Sequence, residues 1–204
     1  MGYPRHQTVA RDRSGVYHCV SRCVRRERLL GEGDRIGLIE RRLAFLASVF
    51  AVDVVEVMPM ENHLHLVLVL RTHPELAWCW TAEEVAERWL RLSRSPRSVA
   101  PDEPPAPEVV RKLAADDAAV DRLRIRRACL SEFHTHWKEW SAKRFKREGR
   151  VTGHFWEGRF GARIVLDDSA AGLTATSANV WRRHLHSEGQ ARKASLGTTA
   201  TDID

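Results

Sequence analysis

The spacing of apolar positions changes along the chain, and each change marks an element. Over residues 15–24, GVYHCVSRCV, it alternates: Val16, His18, Val20 and Arg22 fall on one side, Tyr17, Cys19, Ser21 and Cys23 on the other. That is the period of a strand. A basic, glycine-dotted connector follows, RRERLLGEGDRIG. Over residues 36–50 the step lengthens. Ile39, Leu43, Leu46 and Phe50 make one face of an amphipathic helix, with Glu40, Arg41 and Arg42 off it. VDVVEVMPM then reads as a short Val-rich strand and NHLHLVLVL as a second. The turn PMEN between them is short enough for an antiparallel hairpin.

Residues 72–128 have a different character. TAEEVAERWLRL predicts a helix with Thr81 as its N-cap and Glu84 three residues on, a capping box. SRSPRSVAPDEPPAPE is a Pro-rich loop, and VVRKLAADDAAVDRLRIRRACL is helical again. The whole block reads as an insertion between core elements. A helix over residues 130–147 carries Phe133, Trp137, Trp140 and Phe145, with Trp137 and Trp140 spaced as core residues. The glycine-punctuated GRVTGHFWEGRFGARIVLDD leads into a strand, ARIVL, and a last helix is expected over residues 169–185. Residues 1–14 read as a flexible arm and 186–204 as a disordered tail. The order is strand, helix, strand, strand, insertion, helix, strand, helix. It predicts an α+β fold, an antiparallel sheet packed by helices on one side, with a helical insertion.

Composition adds a partner class. The 204 residues suit one decorated domain, and 43% hydrophobic content can close a core. The net charge is +6 and the pI near 9.5. A polyanionic partner is expected, nucleic acid before an anionic membrane. No apolar run is long enough for a membrane span, and the first residues have no signal-peptide core. Cys19, Cys23, Cys79 and Cys129 form no CxxC pair, so a reducing cytoplasm is expected.

The candidate chemistry lies in NHLHLVLVL. In a strand His63 and His65 share a face, roughly 7 Å apart along the backbone, while Leu64 and Leu66 turn into the core. Two neutral imidazoles can share a divalent ion, completed by an amide or carboxylate and by water or substrate oxygen. Such a pair can also be merely packed. The three-histidine pattern of nucleotide hydrolases needs a further His where this chain has Val67, and zincin spacing is absent. Arg22, Arg25, Arg26 and Arg28 cluster after the first strand, and Lys143, Arg144, Lys146 and Arg147 form a second basic run. Both are candidate phosphate contacts, as is Arg159. RLRIRR reads as a solvated helix face. Phe155 and Trp156 can stack on unpaired bases or plug a helix onto the sheet; the second role is favoured. His18 is expected beside the HxH strand, supporting it or simply buried, and His134 and His136 are expected at the surface.

Three stretches, GVYHCVSRCVRR, MPMENHLHLVL and GRVTGHFWEGRF, in that order, resemble the HUH-type single-tyrosine transposases of insertion sequences, in particular the REP-associated tyrosine transposases. The resemblance covers about residues 15–185, with a longer insertion at 72–128 than compact members have. It implies a ferredoxin-like fold in which His63 and His65 hold Mg²⁺ or Mn²⁺. That metal polarises the scissile phosphate of single-stranded DNA. A tyrosine on the last helix attacks it, forming a 5′-phosphotyrosine and releasing a 3′-OH. An Asn or Gln one turn later completes the metal shell. Members usually dimerise and recognise a DNA hairpin.

The last helix departs from that pattern. The family reads YxxxNPxRAGL, and this chain reads TATSANVWRRHL. Aligning the Asn puts Asn179 in the metal position, keeps Arg182 and Leu185 in register, and leaves Ala175 at the tyrosine. Counting from VLDD without a gap puts Ser177 there and Trp181 at the amide. The only tyrosines are Tyr3, in the arm, and Tyr17, in the first strand. A serine alkoxide is a poorer leaving group, and no base is placed for it. The expectation is a transposase-family protein that binds single-stranded or hairpin DNA through a metal-capable core and has lost strand cleavage. The alternatives are a non-catalytic DNA-binding protein on the same fold, or a metal-dependent phosphodiesterase using His63, His65 and water.

Overall fold

The structure, a computed structural model, describes residues 14–72, 78–94, 103–150 and 152–165. Strand β1 (Gly15–Arg22) is followed by helix α1 (Arg35–Val49), then the hairpin of β2 (Val52–Met60) and β3 (His63–Leu70). Three helices come next: α2 (Ala82–Arg94), α3 (Pro107–Ala114) and α4 (Asp117–Arg127). Helix α5 (Leu130–Glu148) and strand β4 (Gly161–Val165) complete the described chain. The four strands form one sheet in the order β2-β3-β1-β4, every neighbouring pair antiparallel. Leaving the insertion aside, this is the βαββαβ, ferredoxin-like arrangement. The expected α+β fold is what the chain adopts. The arm, the tail and the last helix of the sequence analysis fall largely or wholly outside the described residues.

Period-two alternation sets the two faces of the sheet. Leu64, Leu66, Leu68 and Leu70 of β3 are buried beneath α1 and α5, as are Tyr17 and Cys19 of β1. Each buried leucine contributes roughly 1.5–3 kcal/mol relative to exposure. Slipping β3 by one residue would forfeit all of it and bury the histidines instead. His63, His65 and Val67 therefore face the other way, with His18, Val20 and Arg22 of β1 beside them. An extra residue, Val55, interrupts the β2–β3 register between Val54 and Glu56.

On the helix side, Ile39, Leu43 and Leu46 of α1, with Phe50 just after it, meet Phe133, Trp137 and Phe145 of α5. Two expectations are corrected here. Arg42, placed off the apolar face of α1, is only 2% exposed. Its guanidinium lies 5.1 Å from the Phe45 ring and 5.6 Å from Trp140, so a long aliphatic stem and aromatic contact let it sit inside. His134 and His136, expected at the surface, are buried and half-buried. His134 stacks on Phe160 at 3.6 Å and accepts a hydrogen bond from Trp137 Nε1 at 3.1 Å.

The insertion has its own small core of Trp80, Val85, Val120, Leu123 and Ala128, closed onto Ala51 at the end of α1. The capping box of α2 forms as predicted: Glu84 donates its amide to Thr81 Oγ1 at 3.2 Å, and Thr81 donates its amide to Glu84 Oε2 at 2.8 Å. The RLRIRR run is not wholly a solvated face. Arg127 is 0% exposed, against Phe50 at 4.1 Å and Trp89 at 5.0 Å. It ends α4 where the insertion meets the core.

Candidate functional site

The outer face of the sheet collects the histidines. Register sets Arg22 opposite His63 and Val20 opposite His65. On the far side Met60 and Met58 flank the same two histidines, and Arg163 of β4 lies opposite His18. The His63 and His65 rings are 4.9 Å apart between centroids, and His65 stacks on His18 at 5.0 Å. All three imidazoles are half-buried. Sequence reasoning named His18 as a neighbour but missed Arg163, because only pairing brings β4 beside β1.

Hydrogen bonds orient the two HxH rings. His63 Nδ1 lies 2.6 Å from Asn62 Oδ1. An amide oxygen only accepts, so His63 carries its proton on Nδ1, and in the neutral ring Nε2 holds the lone pair. His65 Nδ1 lies 2.8 Å from His18 Nε2. If His65 donates, its Nε2 too is a lone-pair nitrogen; if His18 donates, the tautomer is reversed. Burial, then the His18, His63 and Arg22 charges, hold the His65 imidazole below its ordinary value, which keeps it neutral near pH 7.

Asn62 is the residue that sequence reasoning overlooked. Its only signal was its place directly before HLH. Besides holding His63, it donates from Nδ2 to the Arg26 carbonyl at 3.2 Å and accepts at its own carbonyl from Cys23 N at 2.9 Å. It thereby ties the histidine strand to the basic connector. There Arg25 and Arg26 occupy the left-handed region, with φ 54° and 57°. That conformation costs roughly 1–2 kcal/mol per residue without glycine. Neighbouring backbone bonds hold the turn, Val24 N to Phe155 O at 2.9 Å and Leu30 N to Glu61 O at 2.8 Å. The side chains of Arg22, Arg25 and Arg26 are exposed, Arg22 opposite His63 in the strand pairing and Arg25 at 3.9 Å from Glu27. Arg28 pairs with Glu61 at 3.1 Å.

The other predicted phosphate contacts lie elsewhere. Lys143, Arg144 and Arg147 are on α5, behind the sheet. Lys143 pairs with Glu139 at 3.2 Å and Arg144 with Glu148 at 3.0 Å. Lys146 donates to the Gly153 carbonyl at 2.9 Å, tethering the loop before β4, so part of its donor capacity is spent on structure. Trp156 is not available for base stacking. It is 7% exposed, packs edge-on against Trp137 at 5.1 Å and donates from Nε1 to Ser141 Oγ at 3.1 Å. With Phe155 it plugs the helix layer. Arg159 is exposed in the same loop.

The donor set bears on which ion would suit. Imidazole nitrogens suit the later transition metals best; Mg²⁺ prefers oxygen, and Mn²⁺ accepts nitrogen ligands but is held least tightly of the first-row divalent ions. Among the described residues, no three His, Cys, Asp or Glu side chains are arranged to hold an ion. His63 and His65 would supply two ligands, each through the ring nitrogen that is not already hydrogen-bonded. Asn179, Ala175 and Ser177 lie outside the described residues. Tyr17 is 0% exposed on the helix side of the sheet, away from the histidines, which removes it as a nucleophile for chemistry there. No helix among the described residues is long and apolar enough to cross a membrane.

No protein-family model matches the chain, and no curated protein matches it.

Proposed function

We propose that the chain is an HUH-type transposase-lineage protein that binds single-stranded or hairpin DNA across the histidine face of its sheet and has lost the tyrosine needed for strand cleavage. The observation that carries this is the pair His63 and His65, side by side on a ferredoxin-like sheet, with one nitrogen of each ring hydrogen-bonded, to Asn62 and His18 respectively. Hydrogen bonding of the far ring nitrogen is the usual support for a metal-binding histidine. A Mn²⁺ or Mg²⁺ ion held there would supply Lewis-acid polarisation of a phosphoryl oxygen. The chain's own residues bind and orient: Arg22, Arg25, Arg26 and Arg163 offer cations to phosphates around the imidazoles, and Asn62 keeps the basic turn in register with His63.

The test is binding and cleavage of a labelled single-stranded hairpin with Mn²⁺, resolved on a denaturing gel. The intact chain is compared with His63→Ala/His65→Ala. Salt-sensitive binding with neither strand breaks nor a covalent adduct is expected. A histidine-dependent adduct would show that another nucleophile has replaced the tyrosine. Strand breaks without an adduct would favour a phosphodiesterase using water. No binding at low salt would end the DNA assignment.

A further inference from the structure

Behind the sheet, helices α1, α2 and α5 enclose a groove of about 460 Å³. It lies on the opposite side of the sheet from the histidines. Its origin is legible on α5. Phe133, Trp137 and Phe145 turn one stripe into the core. A second stripe, His136, Trp140, Lys143 and Arg147, advances by four, three and four residues and lines the groove. Trp89 and Leu92 of α2 form the facing wall, so the groove exists only because the insertion is there.

Its charge is one-sided. Four cations line it, Arg42, Lys143, Arg144 and Arg147, against a single carboxylate, Glu139. Glu139 is engaged by Lys143 at 3.2 Å, and Arg144 is held by Glu148 and stands over the Trp140 ring at 5.8 Å. Arg147 is exposed. The floor is buried and apolar, with Trp140 5% and Leu92 3% exposed. The cations of α5 reach into solvent at the rim, but they line one concavity above a buried apolar floor, which presents guanidinium forks and an ammonium to an oxyanion from the same side.

We propose that this groove binds a phosphate-class oxyanion, with Lys143, Arg144 and Arg147 taking the anion and Trp89 and Trp140 walling the group attached to it. The attached group is either a small phosphate monoester or a stretch of DNA backbone. The site is independent of the histidine face. Arg42 closes the inner end as a buried positive charge, and His136 offers a neutral imidazole, since burial and the neighbouring Arg127 push it down to about 4.

The experiment uses the full chain and Lys143→Glu/Arg147→Glu, both exposed positions, with thermal unfolding to confirm that the fold survives. His63→Ala/His65→Ala is the control for the sheet face. Inorganic phosphate is titrated while the Trp140 indole and His136 ring are followed by NMR, with acetate as the comparison anion. A labelled short oligo(dT) is followed by anisotropy as a function of salt. If phosphate moves these side chains in the intact and histidine-variant proteins but not in the groove variant, the site is confirmed. Oligo(dT) binding unaffected by the groove variant then assigns it to a small phosphate ester. Oligo(dT) binding weakened about tenfold or more at low salt, with a salt slope smaller by about 1.4 for two lost contacts, confirms it as a backbone contact. The proposal is overturned if neither probe responds to Lys143→Glu/Arg147→Glu, or if acetate binds as well as phosphate.

Discussion

Arg127 ends helix α4 with its guanidinium between Phe50 at 4.1 Å and Trp89 at 5.0 Å. None of its three nitrogens has a hydrogen-bond partner among the described residues. Burial, with a smaller push from Arg126, lowers it from the ordinary guanidinium value to about 10. At neutral pH that displacement corresponds to a cost of roughly 3 kcal/mol for holding the charge inside. The two ring contacts return part of it, about 1–2 kcal/mol each when desolvated. Methionine at this position keeps similar bulk and makes favourable contacts with aromatic rings, without the ionic cost. Arg127→Met is therefore expected to be neutral or more stable by about 1–2 kcal/mol, as for other buried charges replaced by apolar groups of like volume. Urea unfolding at pH 7 measures this through the midpoint, with the slope unchanged. The pH dependence carries the sign. The group's folded value lies below its unfolded one, so the unfolded chain holds more protons from about pH 10 up to the ordinary guanidinium value. Wild-type stability gains over that window, and the gap to the methionine variant should close there and stay constant below it. The same substitution removes a charge that helps hold His136 down to about 4, so its NMR titration should move upward. A loss above about 2 kcal/mol at pH 7, larger than the ring contacts alone explain, would refute the reasoning and mean that the guanidinium is bonded.

Other consequences can be measured separately. His18→Ala should weaken Mn²⁺ or Co²⁺ binding at the histidine face by about tenfold or more in calorimetry, because the His65 ring loses the partner that orients it; unchanged affinity would remove His18 from the site. Thr81→Ala should cost about 1 kcal/mol by breaking the capping box of α2, read as a lower unfolding midpoint. Native alkylation followed by mass spectrometry should label exposed Cys79 before Cys19 or Cys23; burial pushes the Cys23 thiol up to about 12, so early labelling of Cys23 would contradict its packing.

Local periodicity decided a good deal by itself. Alternation in GVYHCVSRCV and NHLHLVLVL set which side chains face the helices, because a strand has only two faces and the leucines must take the dry one. Thr81 and Glu84 determined the start of α2, since both bonds of a capping box lie within one turn. What lies beside those elements was decided by the tertiary structure. Asn62 matters because strand pairing brings the Arg25–Arg26 turn under its amide, and nothing in ENHLH encodes that turn's path. Arg42 and Arg127 read as solvent-facing because charge was taken to mean exposure, yet rings from outside their own helices, Trp140 and Phe50, accept them. Trp156 and Lys146 belong to a basic, aromatic stretch that suggested DNA, but packing against α5 uses the indole, and the Lys146 ammonium is spent in part on tying α5 to the Gly153 carbonyl of the loop. Segment chemistry is local and survives in one dimension. Burial, pairing and charge neighbourhood depend on residues distant in sequence, and only the folded chain brings those together.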